Sequence, residues 1–283
     1  MTIQQFMGRR LLLCFALTLA GCGGTVSDGA ASSGSSNIAP SPSTVLQGVY
    51  SVTLQNKEFL SVITPEFDWY ALYFERLTYG NPDIFSGKLI VGVNGLATIA
   101  SVRAFQIAKS ALPLTGTASI SAATAQGYIV SLSGVTSALG DSLSFSASAL
   151  APTSYNPSTA ASYADLQGTP SWQGSWYDGD TSNLSSLQFS SNGSVSSVTS
   201  LNYCDLSGLT LAPMSGVNLF KVTLNIPVKS LGGICLRSKD RLTGADLTGV
   251  AFLYKSPLAG KSWRLDLIAV DSAGSGISFR GDR

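Results

Sequence analysis

The feature that most constrains this chain is a two-residue period. Tyr50, Val52 and Leu54 alternate with Ser51 and Thr53; Leu143, Phe145, Ala147 and Ala149 alternate with serines; Phe220, Val222, Leu224 and Ile226 alternate with Lys221, Thr223 and Asn225. Successive side chains of a strand point to opposite faces, so each run reads as a strand with one buried and one wet face. No helical period of 3.6 persists beyond a turn or two near 159–164, and the abundance of Gly and Ser argues against long helices. The fold class expected is all-β. Asn94-Gly95 and Asn192-Gly193 fall between strand-like runs and suit two-residue hairpin turns with positive φ.

Short segments recur in order along the chain. Leu114-Thr115-Gly116-Thr117-Ala118 returns as Leu247-Thr248-Gly249-Val250-Ala251, and Leu143-Ser144-Phe145 is echoed by Ile277-Ser278-Phe279. Leu46-Gln47-Gly48 matches Leu166-Gln167-Gly168, while Gln47-Gly48-Val49-Tyr50 resembles Gln173-Gly174-Ser175-Trp176. The two Leu-Thr-Gly segments lie 133 residues apart and the Asn-Gly turns 98, so at least one of the apparent matches is accidental, yet the order of the others is consistent. The expectation is two related antiparallel meander domains, 46–150 and 166–283, each a small barrel or sandwich, joined by a Pro- and Ser-containing linker at 151–165.

Ahead of the first strand lies an export signal. Arg9 and Arg10 form a cationic start, Leu11 to Ala20 an apolar run too short to span a bilayer, and Leu19-Ala20-Gly21-Cys22 places an aliphatic and two small residues before a cysteine. These residues resemble the lipobox of bacterial lipoprotein precursors. The resemblance implies a signal peptide over 1–21 and a mature N-terminus at Cys22 carrying a diacylglyceryl thioether and fatty-acyl chains such as palmitate. The partners it implies are the lipoprotein processing and sorting machinery and a membrane reached through the lipid. Gly23 follows the cysteine, where an aspartate would resemble the inner-membrane retention signal, so the outer membrane is expected, with its leaflet open. Residues 22–45, mostly Gly, Ser, Ala and Pro, cannot bury a core and form a tether with a reach of about 25–30 Å. The mature pattern resembles uncharacterised two-domain β lipoproteins of Gram-negative bacteria and, more loosely, small lipidated barrels among surface antigens; the resemblance brings no activity that maps onto residues.

Charge and chemistry narrow the function classes. Seventeen Lys and Arg meet sixteen Asp and Glu, and loss of Arg9 and Arg10 leaves fifteen against sixteen, an overall neutrality that argues against nucleic acid or any strongly charged partner. The chain has no histidine, which removes the usual general base, the usual triads and the commonest metal ligand. No cofactor, metal or catalytic residue is expected.

The remaining candidates each have a plain alternative. Cys204 and Cys235 are the cysteines left once Cys14 departs and Cys22 is acylated. In an oxidising compartment they are expected to form a disulfide, closing a loop of about 30 residues and contributing roughly 3 kcal/mol. Phe67-Asp68-Trp69-Tyr70-Ala71-Leu72-Tyr73-Phe74 is the densest aromatic stretch. Alternation sends Phe67, Trp69 and Tyr73 to one face and Tyr70, Leu72 and Phe74 to the other. One set is expected in a core, and the other either meets a partner, with Phe67, Trp69 and Tyr73 as the contact residues, or packs between the two domains.

Asp178-Gly179-Asp180-Thr181-Ser182-Asn183 offers oxygen ligands but departs from the EF-hand pattern and reads as a hairpin loop. Glu58, Glu66, Glu75 and Asp68 offer carboxylates without a spacing that picks an acid and a base. Arg280-Gly281-Asp282 reads as an accidental tripeptide at a frayed terminus. The function expected is a non-catalytic, lipid-anchored envelope protein that binds or scaffolds an envelope partner. The alternatives are a carrier of a small apolar ligand inside a barrel and, third, a carboxylate-dependent hydrolase.

Overall fold

The serine-alternating runs become antiparallel strands throughout. The computed structural model describes residues 47–54, 57–73, 83–91, 97–106, 112–113, 118–124, 127–137, 140–150, 154–177, 182–200, 206–226, 246–272 and 276–283. All of them belong to one compact unit, Pro40–Arg283.

The first meander comprises β1 (Gly48–Leu54), β2 (Lys57–Ile63), β3 (Asp68–Tyr73), β4 (Asp83–Val91), β5 (Ala97–Gln106), a two-residue β6 (Leu112–Pro113), β7 (Ala118–Thr124), β8 (Gly127–Ser137) and β9 (Gly140–Ala149). Neighbours in sequence pair, β7 skips β6 to pair with β5, and β9 returns to β1 with Tyr50 opposite Ala149. Eight of the described strands thus close on themselves as barrel 1, and among the described strands the short β6 is the one left as an edge.

The second meander starts from a one-turn helix, α1 (Tyr163–Leu166). It continues through β10 (Trp172–Tyr177), β11 (Ser182–Phe189), β12 (Val195–Ser200), β13 (Leu209–Pro213), β14 (Phe220–Asn225), β15 (Asp246–Lys255), β16 (Trp263–Val270) and β17 (Gly276–Asp282). Again the last strand returns to the first, Trp176 facing Phe279. The sheet edges β12 and β13 meet at one bridge, Ser194 to Thr210, beside a hydrogen bond from Leu211 N to Gly193 O (2.9 Å). This is barrel 2.

The internal repeat has structural counterparts. Gly48 and Gly168, from the two Leu-Gln-Gly segments, hold φ of 133° and 128°, values that an L side chain rarely adopts, each just ahead of or at the first strand of its meander. The Leu-Ser-Phe and Ile-Ser-Phe segments lie in β9 and β17, the two strands that close the rings.

Among the described residues, two apolar clusters organise the packing. One fills barrel 2 with inward residues of its strands, including Trp172, Trp176, Leu187, Phe189, Phe220, Leu253, Leu265 and Phe279. The other joins outward residues of the two meanders: Val49, Leu60, Val62, Tyr70, Leu72 and Ile84 from the first, and Val217, Leu219, Val250, Phe252, Tyr254 and Ile268 from the second. Period-two alternation explains how β15 and β16 serve both clusters. Leu253 and Leu265 point into the barrel while Phe252 and Ile268 point out, so both strands are buried almost continuously along their length.

Candidate functional site

The mouth of barrel 2 is sealed by α1. Leu166 is fully buried in the barrel cluster, and its carbonyl accepts the indole N–H of Trp172 at 3.0 Å. Four residues cannot satisfy their own terminal carbonyls, and here a side chain from the other end of the chain does so. The Arg283 guanidinium donates to the carbonyl of Asp165 (2.9 Å) and to those of Leu166 and Gln167. It also lies over the Trp172 ring, 4.3 Å from its centroid. Desolvation by burial pulls the Arg283 pKa below its ordinary value. At the start of α1, Asp165 closes a capping box with Ser162, accepting from its backbone N (2.8 Å) and from its hydroxyl (2.9 Å).

On the outward face of β16 and β17, two ion pairs lie side by side. Asp266, with no exposed surface, accepts from Arg280 Nε (2.8 Å) and Nη2 (2.7 Å) and from the Tyr254 hydroxyl (2.9 Å). Asp282 accepts from Arg264 Nε (2.8 Å) and Nη2 (3.0 Å) and from the Ser256 hydroxyl (2.5 Å). Burial alone would lower the Arg264 pKa; the Asp282 hydrogen bonds reverse that and hold it above the ordinary value. Burial, with the Asp266 charge adding to it, drives the Tyr254 pKa strongly upward. Both carboxylates and both guanidinium groups are therefore engaged in fixing strands. The Arg280-Gly281-Asp282 tripeptide is not at a frayed end: β17 lies between β10 and β16 and is hydrogen-bonded on both sides.

The aromatic stretch divides differently from the expectation. Phe67 does not belong to β3; it sits in the preceding turn at φ 63°, half-buried, with its N donating to Thr64 O and its carbonyl accepting from Leu89 N. The left-handed backbone there breaks the alternation that would have aligned Phe67 with Trp69. Trp69 is fully buried, and its indole donates to Ser61 Oγ at 2.9 Å, so it is an interior residue and not an exposed contact residue. Tyr73 ends β3, and its side chain lies outside the description. Tyr70 and Leu72, on the opposite face, enter the cluster shared with barrel 2. Aromatic groups on both faces of this strand thus serve an interior and an inter-barrel contact.

The other sequence candidates are placed as follows. Cys22, Cys204 and Cys235 lie outside the described residues, as do Glu75 and 178–181 of the oxygen-rich loop, whose Ser182 and Asn183 open β11. Glu66 is exposed at the β2–β3 turn, Asp68 pairs with Lys88 at 2.9 Å, and Glu58 lies in β2. Asn192-Gly193 forms a longer turn than the two-residue form expected. Only Gly193 has positive φ (78°), and Gly193 N donates to Ser190 O while Ser190 N donates to Ser194 O.

The linker is packed against barrel 2. Tyr155 is buried with its hydroxyl donating to Asn218 O (3.2 Å), Ala161 N donates to Val217 O (3.0 Å), and Ser154 O accepts Lys255 N (2.9 Å). Beside it, an open cleft of about 350 Å³ is lined by Gly48, Tyr50, Leu150, Tyr155, Pro157 and Val217. Leu258, Trp263 and Tyr163, all near the plugged mouth, and Ile90 on barrel 1 are exposed large side chains. Sequence reasoning missed Leu258 and Trp263, although Lys255-Ser256-Pro257-Leu258-Ala259-Gly260-Lys261-Ser262-Trp263 breaks the alternation with apolar residues in a turn.

No helix of the described residues is long and apolar enough to cross a membrane, and among them no three acidic or thiol groups gather as a metal site would require. No family model, curated protein or solved structure matches the chain.

Proposed function

We propose that this protein is a lipid-anchored component of the bacterial envelope, held at the outer membrane through Cys22, whose double-barrel body binds or scaffolds an envelope partner without catalysing a reaction. One observation carries the reading: the described groups best suited to chemistry are consumed by the fold. Asp266, Asp282, Arg264 and Arg280 neutralise one another across two strands, and Arg283 caps α1. The interior of barrel 2 is occupied by its own side chains. A chain without histidine whose buried charges are already paired is suited to presenting a rigid surface.

A small apolar ligand inside barrel 2 would have to displace Trp172, Trp176 and Phe279, of which Trp176 and Phe279 pack at 4.9 Å between ring centroids. Native mass spectrometry of the purified mature protein, combined with an ester, glycan and peptide substrate screen, tests the proposal. A bare protein without turnover is expected. A stoichiometric lipophile or clear substrate turnover would overturn it.

A further inference from the structure

The β15–β16 hairpin presents apolar side chains and cations together at the rim of barrel 2. Leu258 is 39% exposed and Trp263 41%; Pro257, Ala259 and Gly260 are exposed between them. Lys255 is exposed directly opposite Trp263, Lys261 is half-buried, and residues 255–263 contain no Asp or Glu. The turn is held in shape by Leu258 N to Ser256 Oγ (3.1 Å), Lys261 N to Leu258 O (3.2 Å) and Ser256 N to Ser262 O (3.3 Å). Its base is fixed by Ser262 N and Trp263 N donating to Arg283 O. A leucine tip, a rim tryptophan and flanking lysines match the layers of a bilayer interface: acyl boundary, headgroup level and anionic phosphates.

A second observation concerns where the chain enters the fold. Gly48 opens β1 beside Pro157, whose Cβ lies 3.7 Å from where a Gly48 Cβ would stand. Three residues before Pro157, the Ser154 carbonyl accepts Lys255 N. Three residues reach at most about 11 Å, so the segment that leads back to Cys22 meets the fold close to the base of this hairpin.

We propose that the β15–β16 hairpin docks into the headgroup region of an anionic phospholipid bilayer, orienting the plugged mouth of barrel 2 toward the membrane. The proposal rests on the lipid-anchored reading for the nearness of that membrane. The lipid supplies attachment, and Leu258, Trp263, Lys255 and Lys261 supply orientation. Such a device suits an anchored protein, because a lipid anchor brings the membrane near without setting which face of the protein looks toward it.

The test uses the exported full chain in vesicles of phosphatidylethanolamine and phosphatidylglycerol. Of its four tryptophans, Trp69, Trp172 and Trp176 are buried, so Trp263 reports on the surface alone. Lipids brominated in the acyl chain are expected to quench Trp263, and aqueous acrylamide to lose access to it. The bromolipid quenching should vanish in Trp263→Phe, and in Lys255→Glu/Lys261→Glu partitioning of the hairpin should fall about 25-fold or more, since each lysine near an anionic surface changes it about five-fold. Lys255 and Trp263 are exposed and Lys261 is half-buried, and unchanged circular dichroism would verify the fold.

Trp263 open to acrylamide and untouched by bromolipid would overturn the proposal, as would quenching indifferent to the lysines. Shielding that appears only when envelope proteins are added would assign the hairpin to a protein partner and also overturn it. Fatty-acid labelling of Cys22 in the same samples separates the two readings. Label without quenching rejects the hairpin and keeps the anchor, whereas quenching without label does the reverse.

Discussion

Replacing Asp266 with alanine is expected to be among the most damaging single changes in barrel 2. The carboxylate has no exposed surface and accepts three hydrogen bonds, two from Arg280 and one from Tyr254. Its loss removes two hydrogen bonds and the facing charge from a guanidinium only 24% exposed, and the hydrogen bond from a buried phenol. Breaking a buried pair by removing one partner costs about 3–5 kcal/mol, because the remaining charge is shielded from most of its water and has lost this counter-ion. At roughly 2–4 °C per kcal/mol for a chain of this size, the melting temperature should fall by about 6–20 °C.

Asp68→Ala is the internal control: its ion pair with Lys88 is about half exposed on both sides, so its loss is worth about 0–1 kcal/mol. The triple change Asp266→Leu, Arg280→Met, Tyr254→Phe removes every partner together and should recover most of the stability. Urea denaturation followed by circular dichroism gives all three values. A cost under 1 kcal/mol for Asp266→Ala, or a triple variant as unstable as the single one, would refute the reasoning.

The buried tyrosines make stability fall at high pH. Desolvation by burial pushes Tyr50 up to about 12 and moves Tyr70, Tyr155 and Tyr254 further in the same direction. Above pH 10 the unfolded chain releases protons that the native state retains, so their contribution is full below pH 10 and is lost as pH climbs toward 12. Absorbance at 295 nm should show these phenols ionising only as the protein unfolds; free titration near pH 10 in the folded state would contradict this. Cys204 and Cys235 are expected to be bridged in the exported protein, and two alkylatable thiols at those positions in unreduced material would exclude the bridge. Phe252→Ala, in the cluster shared by the two meanders, should cost about 3–5 kcal/mol. An effect below 1 kcal/mol by urea denaturation would show that the contact between meanders contributes little.

The strand pattern was legible because half-buried strands write their burial into the sequence: Phe220–Asn225 alternates buried and exposed without exception. β15 and β16 were less legible for the opposite reason, since strands buried on both faces lose the period. The ring closures depend on pairing between residues about a hundred apart, such as Tyr50 with Ala149, which no local pattern encodes. The ion pairs carry a signal in the sequence. Arg264-x-Asp266 and Arg280-x-Asp282 are the same motif in strands that run antiparallel, so each arginine meets the other strand's aspartate. Trp69 was misjudged because alternation states that two faces are apolar without saying what covers each. Here one face is covered by the barrel's own interior and the other by the second meander.

The reading of this protein as a lipid-anchored envelope component meets its most direct test in the intact mass and N-terminal peptide of the mature chain isolated from membranes. The expected result is a chain beginning at Cys22, heavier than its sequence by a diacylglyceryl group and an N-acyl chain, with the adduct confined to that residue and lost in Cys22→Ala. An unmodified Cys22, or a mature N-terminus elsewhere, would contradict the account.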